Sequence, residues 1–469
     1  MKILLINPFD RSALPISPWP QLGLTIMATR ARDLGHETLV ADYAFHPQTT
    51  ILSQLVPAFS PDVVGVTLYT AQMSQARKTI REIRGLCAAP LCLGGPHATL
   101  YAEKIAAENV ADYIFRGECD LLFAEEAEKL RRRKDSAVLS ASPPDIDNIP
   151  EPDFGLALGS SDMTYYPIQL SRGCPYDCSF CSVKLISTTR VRFKGLERCL
   201  DEIELACARL HKIRSIRIVD DCPTFQPARF KAFLKGYLQR GIRKPLHIDN
   251  LRADGVDNEM LDLIASIGVD HLCIGVESGN PVVFDLINKG EKMEDIIQAA
   301  RLIKRHGIRL YLCFVIGLPG ATASSEMDSI RLARSLRPNW IYWNLFQPHR
   351  GTRASAWFET HGRIDDEEDK SSLIGLNLDT TDAPCEIAEF LSGERIRVHL
   401  MASLLSGAYW LHPRYFGRYA QIIAKNGLGR AFLRGLPAAL RINLEMLLHR
   451  IRRCLKSSRL LSRGTRRCV

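Results

Sequence analysis

Short runs of branched aliphatic residues alternate with amphipathic stretches along most of this sequence, a pattern that few architectures accommodate. Lys2–Asn7 and Glu37–Asp42 read as strands, and Gln21–Leu34 between them has helical spacing that stops at Gly35, a fitting C-cap. Asp62–Thr67 is continuous and β-branched, as a strand covered on both faces must be. Helix Ala71–Arg84, strand Pro90–Gly94, helix Ala102–Asn109 and strand Asp112–Phe115 extend the series. Residues 1–135 are therefore expected to fold as a doubly wound, Rossmann-like parallel sheet. Residues 136–159 read as a linker, because Ser136–Asp153 is rich in Ser, Pro and Asp.

The alternation resumes at Tyr165 with six strand candidates: Tyr166–Ser171, Ser215–Asp221, Pro245–Leu251, His271–Glu277, Arg309–Ile316 and Trp340–Phe346. Amphipathic stretches such as Leu196–Leu210 and Met293–His306 separate them. Six βα repeats in succession predict an α/β domain across 160–360, a partial or complete parallel (β/α)6 barrel with reactive groups at the carboxyl ends of its strands. Residues 361–469 read as a helical segment ending in a basic tail.

Of the 469 residues, 46% are apolar and 24% charged, which excludes a disordered, collagen-like or coiled-coil chain and allows several packed domains. The opening apolar run, Ile3–Ile6, is too short for a secretory signal, and no stretch approaches the roughly 20 uncharged residues of a spanning helix. A cytoplasmic location is expected, where thiols stay reduced and clustered cysteines hold metal in preference to pairing. The net charge of +9 is uneven: Leu411–Val469 holds 14 Lys and Arg against Glu445 alone, a local +13, and the remainder sums to −4. A basic tail on a slightly acidic body points to an anionic surface. A nucleic-acid binder would be basic throughout, and no nucleic-acid partner is expected.

Directly after the first barrel strand stands Ser171-Arg172-Gly173-Cys174-Pro175-Tyr176-Asp177-Cys178-Ser179-Phe180-Cys181. Three thiols in C-x3-C-x2-C spacing on one loop, without an adjacent fourth ligand, suit a four-iron cluster with one iron open. A closed zinc site would need a fourth sulfur, and only Cys199, Cys207 and Cys222 are near enough in sequence to give one. Cys87, Cys92, Cys273 and Cys313 sit in apolar segments and read as core residues.

The motif, with Phe180 before its last cysteine, resembles the signature of the radical S-adenosyl-L-methionine (SAM) superfamily over residues 160–350. The resemblance implies that Cys174, Cys178 and Cys181 bind a [4Fe-4S] cluster whose open iron chelates SAM. It further implies that a one-electron reductant of flavodoxin or ferredoxin type drives cleavage of SAM to a 5′-deoxyadenosyl radical, which takes hydrogen from a substrate. By the same resemblance, Asp220 and Asp221 at the end of the second barrel strand meet the SAM ammonium, a carboxylate opposite a cation. Glu277, in Gly275-Val276-Glu277-Ser278-Gly279, would lie near the ribose and methionine. Gly317 and Pro319, in Gly317-Leu318-Pro319-Gly320, would let backbone approach the adenine. Gln347-Pro348-His349-Arg350-Gly351-Thr352 resembles a Pro-x-Pro-Gly-Thr element with His349-Arg350 substituted. The order of these elements after successive strands, behind the cysteine loop, argues against coincidence.

Residues 1–135 resemble the cobalamin-binding domain often fused ahead of such a barrel, through Pro20–Leu24, Gly35-His36-Glu37, Val64–Thr67, Leu93–Thr99 and Arg116-Gly117-Glu118. Doubly wound sheets bind ligands beyond the carboxyl ends of their strands, where Thr67, Thr70, Gly94, Gly95, His97, Gly117 and Glu118 fall. The Asp-x-His-x-x-Gly signature is absent, so the resemblance implies cobalamin without an axial histidine. The alternative is a degenerate module that binds no cofactor. His36, after its C-cap glycine, is expected at the surface.

In the tail, Leu428, Leu433, Leu440, Leu444, Leu447 and Ile451 interleave with Arg430, Arg434, Arg441 and Arg450. Such a helix could lie on anionic lipid as a peripheral membrane contact, or cap the barrel with its arginines solvated. Trp340, Trp343, Phe346 and Trp357 could floor a pocket for a large apolar small-molecule substrate, or pack as core. Two such domains facing one cavity imply a cobalamin-dependent radical SAM enzyme that methylates an unactivated carbon. The same cofactors admit an oxidative cyclase or rearrangement enzyme like the anaerobic magnesium-protoporphyrin IX monomethyl ester cyclase family. A non-catalytic iron–sulfur or zinc protein is the alternative from another class. A methylthiotransferase is disfavoured, because Cys87, Cys92 and Cys119 form no second triplet.

Overall fold

The computed structural model describes residues 1–9, 17, 19–46, 51–365, 383–408, 420–421 and 423–464. Six parallel strands, β1 (Lys2–Asn7), β2 (Glu37–Asp42), β3 (Val63–Thr67), β4 (Leu91–Gly94), β5 (Tyr113–Arg116) and β6 (Ala137–Ser140), lie in the order β2-β1-β3-β4-β5-β6. Central strands β1 and β3 are buried on both faces, which is why they read as unbroken aliphatic runs. The chain reverses its direction of winding between β1 and β3, and that switch point opens a crevice at the carboxyl ends.

Part of the segment read as linker belongs to this sheet. Ala137–Ser140 pairs in parallel with β5, from Tyr113↔Ala137 to Arg116↔Ser140. An edge strand needs little apolar surface, so its short Ala-Val-Leu-Ser run was hidden among polar neighbours. The chain that follows is packed as well. Ile146 and Ile149 bury against Ile26, and the Phe154 and Tyr166 rings meet edge to face at 5.5 Å. His36, expected at the surface, is buried: its amide bonds the Ala31 carbonyl and draws it under the preceding helix end.

Six further parallel strands, Tyr165–Ile168, Ser215–Ile218, Leu246–Leu251, His271–Glu277, Arg309–Ile316 and Trp340–Leu345, neighbour one another in sequence order. The first and last do not pair, so this (β/α)6 barrel is open. Along His271–Glu277 the buried residues alternate. Leu272, Ile274 and Val276 face the helical layer, while His271, Cys273 and Glu277 face the lumen. The lumen is polar: Arg217 pairs with Asp249, the His271 and Tyr311 rings stack at 4.2 Å, and Cys273 and Cys313 sulfurs lie 4.0 Å apart.

The aromatic residues considered for an apolar substrate floor are core instead. Trp343 stacks on Phe314 at 4.6 Å and donates its indole N–H to Ser406 Oγ at 2.9 Å; Phe346 stacks on Phe358. Helix Ser392–Ser406 covers this side, with Arg395 buried over the Phe358 and Phe390 rings, and helix Gly429–Gly464 packs on it in turn. The helicity expected of 366–382 and 409–419 lies outside the described residues. Among the described residues no helix is long and apolar enough to cross a membrane.

Candidate functional site

The cysteine loop leaves the first barrel strand through a conformation that only glycine adopts freely. Gly173 has φ 92°, and a β-carbon there would stand 2.7 Å from the Arg190 carbonyl and 2.8 Å from that of Thr188. Backbone bonds then fix the loop: the Cys174 amide donates to Thr188 at 3.1 Å and the Ser179 amide to Ile287 at 2.8 Å. All three motif cysteines are partly buried on this loop; Cys178 feels the charge of Cys181 and Cys174, and Cys181 that of Cys174. Burial pushes the Cys178 thiol up to about 12 and raises Cys181. Cys174 is lowered to about 7, chiefly by a hydrogen bond from the Cys222 thiol.

Behind the loop lies a buried ionic chain that the motif alone did not reveal. Lys289 Nζ stands 2.8 Å from Glu291 and 3.6 Å from Glu277, and Arg252 reaches Asp254 at 2.7 Å. The Arg252 guanidinium lies 3.4 Å from the centre of the Tyr176 ring, within the cysteine loop itself. Burial opposes the charge on Lys289, yet Glu277 and Glu291 hold its affinity for a proton above the ordinary value. Burial raises Glu277 against the pull of Lys289. Both cations lower the cost of negative charge on the cysteines, Lys289 at Cys178 and Arg252 at Cys174. A loop of three partly buried thiols with cations behind it fits an anionic iron–sulfur cluster.

The expected SAM contacts fall in different places. Asp221 faces the space between the domains and accepts from the Gly173 amide at 2.9 Å. Asp220 is turned inward: its oxygens take the Leu170 amide at 2.7 Å and the Ser171 hydroxyl at 2.5 Å, and burial lifts it to about 7. It positions the loop and leaves no oxygen for a ligand. Glu277 adjoins the cysteines, whereas Gly317 and Pro319 are buried away from the two large cavities, Gly317 donating to Glu326 at 2.8 Å.

Those cavities meet at the crevice of the first sheet. One, of about 760 Å³, is mostly apolar and runs between Leu5, Gly65, Met27 and Phe115. Thr67, Gly94, Gly95, Gly117 and Glu118 line it. Gly95, at φ 92°, would bring a β-carbon 2.5 Å from Thr67 Oγ1, so the wall there needs a bare backbone. The other, about 1130 Å³, lies between the domains and is polar, with Asn7, Asp42, Tyr69, Arg172 and Asp221 around it. Gln21, Gly23, Glu118 and Asp120 border both. A broad polar chamber joined to a narrow apolar one fits a corrin with its amide rim and nucleotide tail. Thr70 and His97 are not part of either wall: Thr70 Oγ1 and His97 Nδ1 bond at 3.0 Å, and His97 stacks on Tyr101.

One latch joins cobalamin side to cysteine side. Arg172, two residues before Cys174, binds Asp120 through both terminal nitrogens at 2.6 and 2.9 Å and reaches Glu118 at 3.2 Å. Arg192 and Ser187 close on Glu118 from the same barrel. Burial works to raise Glu118, but the bonds from Arg192 and Ser187 and the charge of Arg172 hold it below the ordinary carboxylate value. Glu118, expected beside the corrin, borders both cavities and is tied across the domain boundary by Arg172, Arg192 and Ser187. The signal for Asp120 was its place just beyond β5; that for Cys222 was its place just after Asp221.

Comparison with known proteins agrees with this layout. The Radical SAM superfamily model matches residues 168–333 and the B12 binding domain model matches residues 16–125. An uncharacterized methyltransferase of Pyrococcus horikoshii is 26% identical, the match covering 75% of this chain and 82% of that one. An anaerobic magnesium-protoporphyrin IX monomethyl ester cyclase of Cereibacter sphaeroides is also 26% identical, over 74% of this chain and 62% of the relative. The structure of the radical SAM methyltransferase TsrM from Kitasatospora setae, with cobalamin and [4Fe-4S] cluster bound, has the same fold, at TM-score 0.60 and 20% identity over 76% of this chain and 74% of that one. With both domain models matched in order, the chain carries a B12 binding domain followed by a radical SAM domain.

Proposed function

We propose that this chain is a cobalamin-dependent radical SAM enzyme that methylates an unactivated carbon of a small-molecule substrate. The observation that carries the reading is the Arg172–Asp120 latch, which holds the base of the cysteine loop against the crevice of the first domain, with Arg172, Asp120 and Asp221 on the wall of the 1130 Å³ chamber. When bound there, the cluster, SAM and cobalamin supply reductive SAM cleavage and a methyl carrier. The chain's own part is positional. Cys174, Cys178 and Cys181 would hold the cluster; Lys289 and Arg252 would offset its charge; Asp221 and Glu277 would offer carboxylates to SAM; Asp220 fixes the strand-to-loop turn. Asn7, Gln21 and Tyr69 would offer polar groups to the corrin rim, and the two domains together would orient what binds in the chamber. A one-electron reductant of flavodoxin or ferredoxin type completes the reaction.

A second reading, oxidative cyclisation, is favoured by the cyclase relative and uses the same site. Protein reconstituted anaerobically with iron, sulfide and hydroxocobalamin is incubated with methyl-labelled SAM, reductant and a pigment and lipid extract, and the products are weighed by mass spectrometry. Methyl transfer puts label in a product; cyclisation gives deoxyadenosine with an unlabelled product. Absence of deoxyadenosine from cluster-loaded protein overturns both.

A further inference from the structure

Helix Gly429–Gly464 has two apolar faces, and only one is used inside the molecule. On the inner face Ala439 and Ile442 are fully buried, Ile442 against Tyr311 and Trp340. Three polar moorings hold this face in place: Asn339 donates to Glu445 at 2.8 Å, Arg441 to the Pro338 carbonyl at 3.2 Å, and His449 Nε2 stands 2.5 Å from Asp270. The outer face carries Leu433, Leu440, Leu444, Leu447 and Ile451, which stay 67%, 56%, 56%, 55% and 46% exposed. Their three-, four- and seven-residue spacing places them on one stripe, and the exposed Arg430 and Arg434 follow one edge of it.

We infer that this outer face docks on the surface of an anionic lipid bilayer. An exposed aliphatic stripe on a helix fixed to its own protein marks an interaction surface. The partner is chosen by charge: the chain from Leu411 onward carries +13, far more than the −4 of the rest can offset, so the segment that holds this helix attracts an anionic plane. The moorings sit at residues that precede the fourth and sixth barrel strands, whereas the cysteine loop follows a carboxyl end. Docking therefore leaves the chamber mouth directed away from the helix's lipid face, and the surface anchors the enzyme without feeding its substrate from below.

The test uses the full chain in co-sedimentation with vesicles of phosphatidylcholine alone or mixed with phosphatidylglycerol. Binding is expected only to the anionic vesicles, weakening as salt rises, and the L440Q/L444Q variant is expected to lose about tenfold in partition. That variant replaces exposed residues, so its far-ultraviolet spectrum and iron content stay those of the parent. No binding to anionic vesicles, or equal binding by the variant, overturns the inference. So does a concentration-dependent dimer that the same substitutions abolish, since the stripe would then seat a second copy. The outcome is independent of which reaction the active site performs.

Discussion

Arg172→Ala tests whether the first domain sets the geometry of the cysteine loop. The substitution removes the guanidinium that binds Asp120 twice and touches Glu118, with all three side chains only 8–11% exposed. Breaking a buried pair costs about 3–5 kcal/mol, because the remaining carboxylate loses its counter-charge in a poor solvent. Arg192 still neutralises Glu118, which puts the expected cost at the lower end, about 3 kcal/mol. At 1.4 kcal/mol per decade, local opening of the loop becomes roughly a hundredfold more frequent. Hydrogen exchange reads this directly: the Gly173 and Cys174 amides, bonded to Asp221 and Thr188, are expected to lose about two decades of protection. The strand Arg309–Ile316 serves as the control and keeps its protection. Arg172→Lys restores only part, since an ammonium cannot grip both oxygens of Asp120 in the same plane. Protection at 173–174 within about twofold of the parent would show that the loop holds itself, and the latch argument would fail.

Three other perturbations have definite outcomes. Asp220 is raised to about 7 in the folded protein, so the native state binds a proton that the unfolded chain has already released; its contribution is complete below the ordinary carboxylate value and is lost as pH rises toward 7. Asp220→Asn is expected to flatten the stability-versus-pH slope between pH 5 and 7 by about 1.4 kcal/mol per pH unit in denaturant titrations, and an unchanged slope would refute the assignment. Cys222→Ser is expected to leave iron and sulfide content at parent level while Cys174→Ser abolishes it; equal loss in both would mean a four-sulfur site. Lys289→Met removes positive charge beside Cys178, and spectroscopic redox titration of the reconstituted cluster is expected to give a more negative potential. An unshifted potential would separate the Glu277–Lys289–Glu291 chain from the cluster.

What could be read from the residues, and what could not, divides along one physical line. Long aliphatic strands carry their own evidence, because burial on both faces demands unbroken runs; His271–Glu277 and Arg309–Ile316 have the bounds their pattern predicts. The cysteine triplet is likewise local, three thiols on one loop. Groups whose role depends on distant partners were opaque. Asp220 and Asp221 are neighbours in sequence just past the end of a strand, yet one turns into the packed interior and the other toward the chamber. His97 and Thr70, both at promising strand ends, find each other 27 residues apart and leave the walls to glycines. Ala137–Ser140 looked like connection because a sheet edge asks so little of its sequence.

The latch carries this reasoning one step further. Two domains joined only by a loop could be tethered loosely, since a loop fixes neither distance nor angle. Here the contact is made by Arg172, inside the motif that also holds the thiols, and by Asp120, one turn beyond the glycine that borders the apolar cavity. Moving either domain therefore strains both ligand-bearing loops at once. A bidentate pair tolerates little rotation, so the relative placement of the two loops is set by the planar geometry of one guanidinium and one carboxylate. The proposed methyl transfer would need that restraint, because a reactive carbon centre would have to meet its methyl donor before anything else.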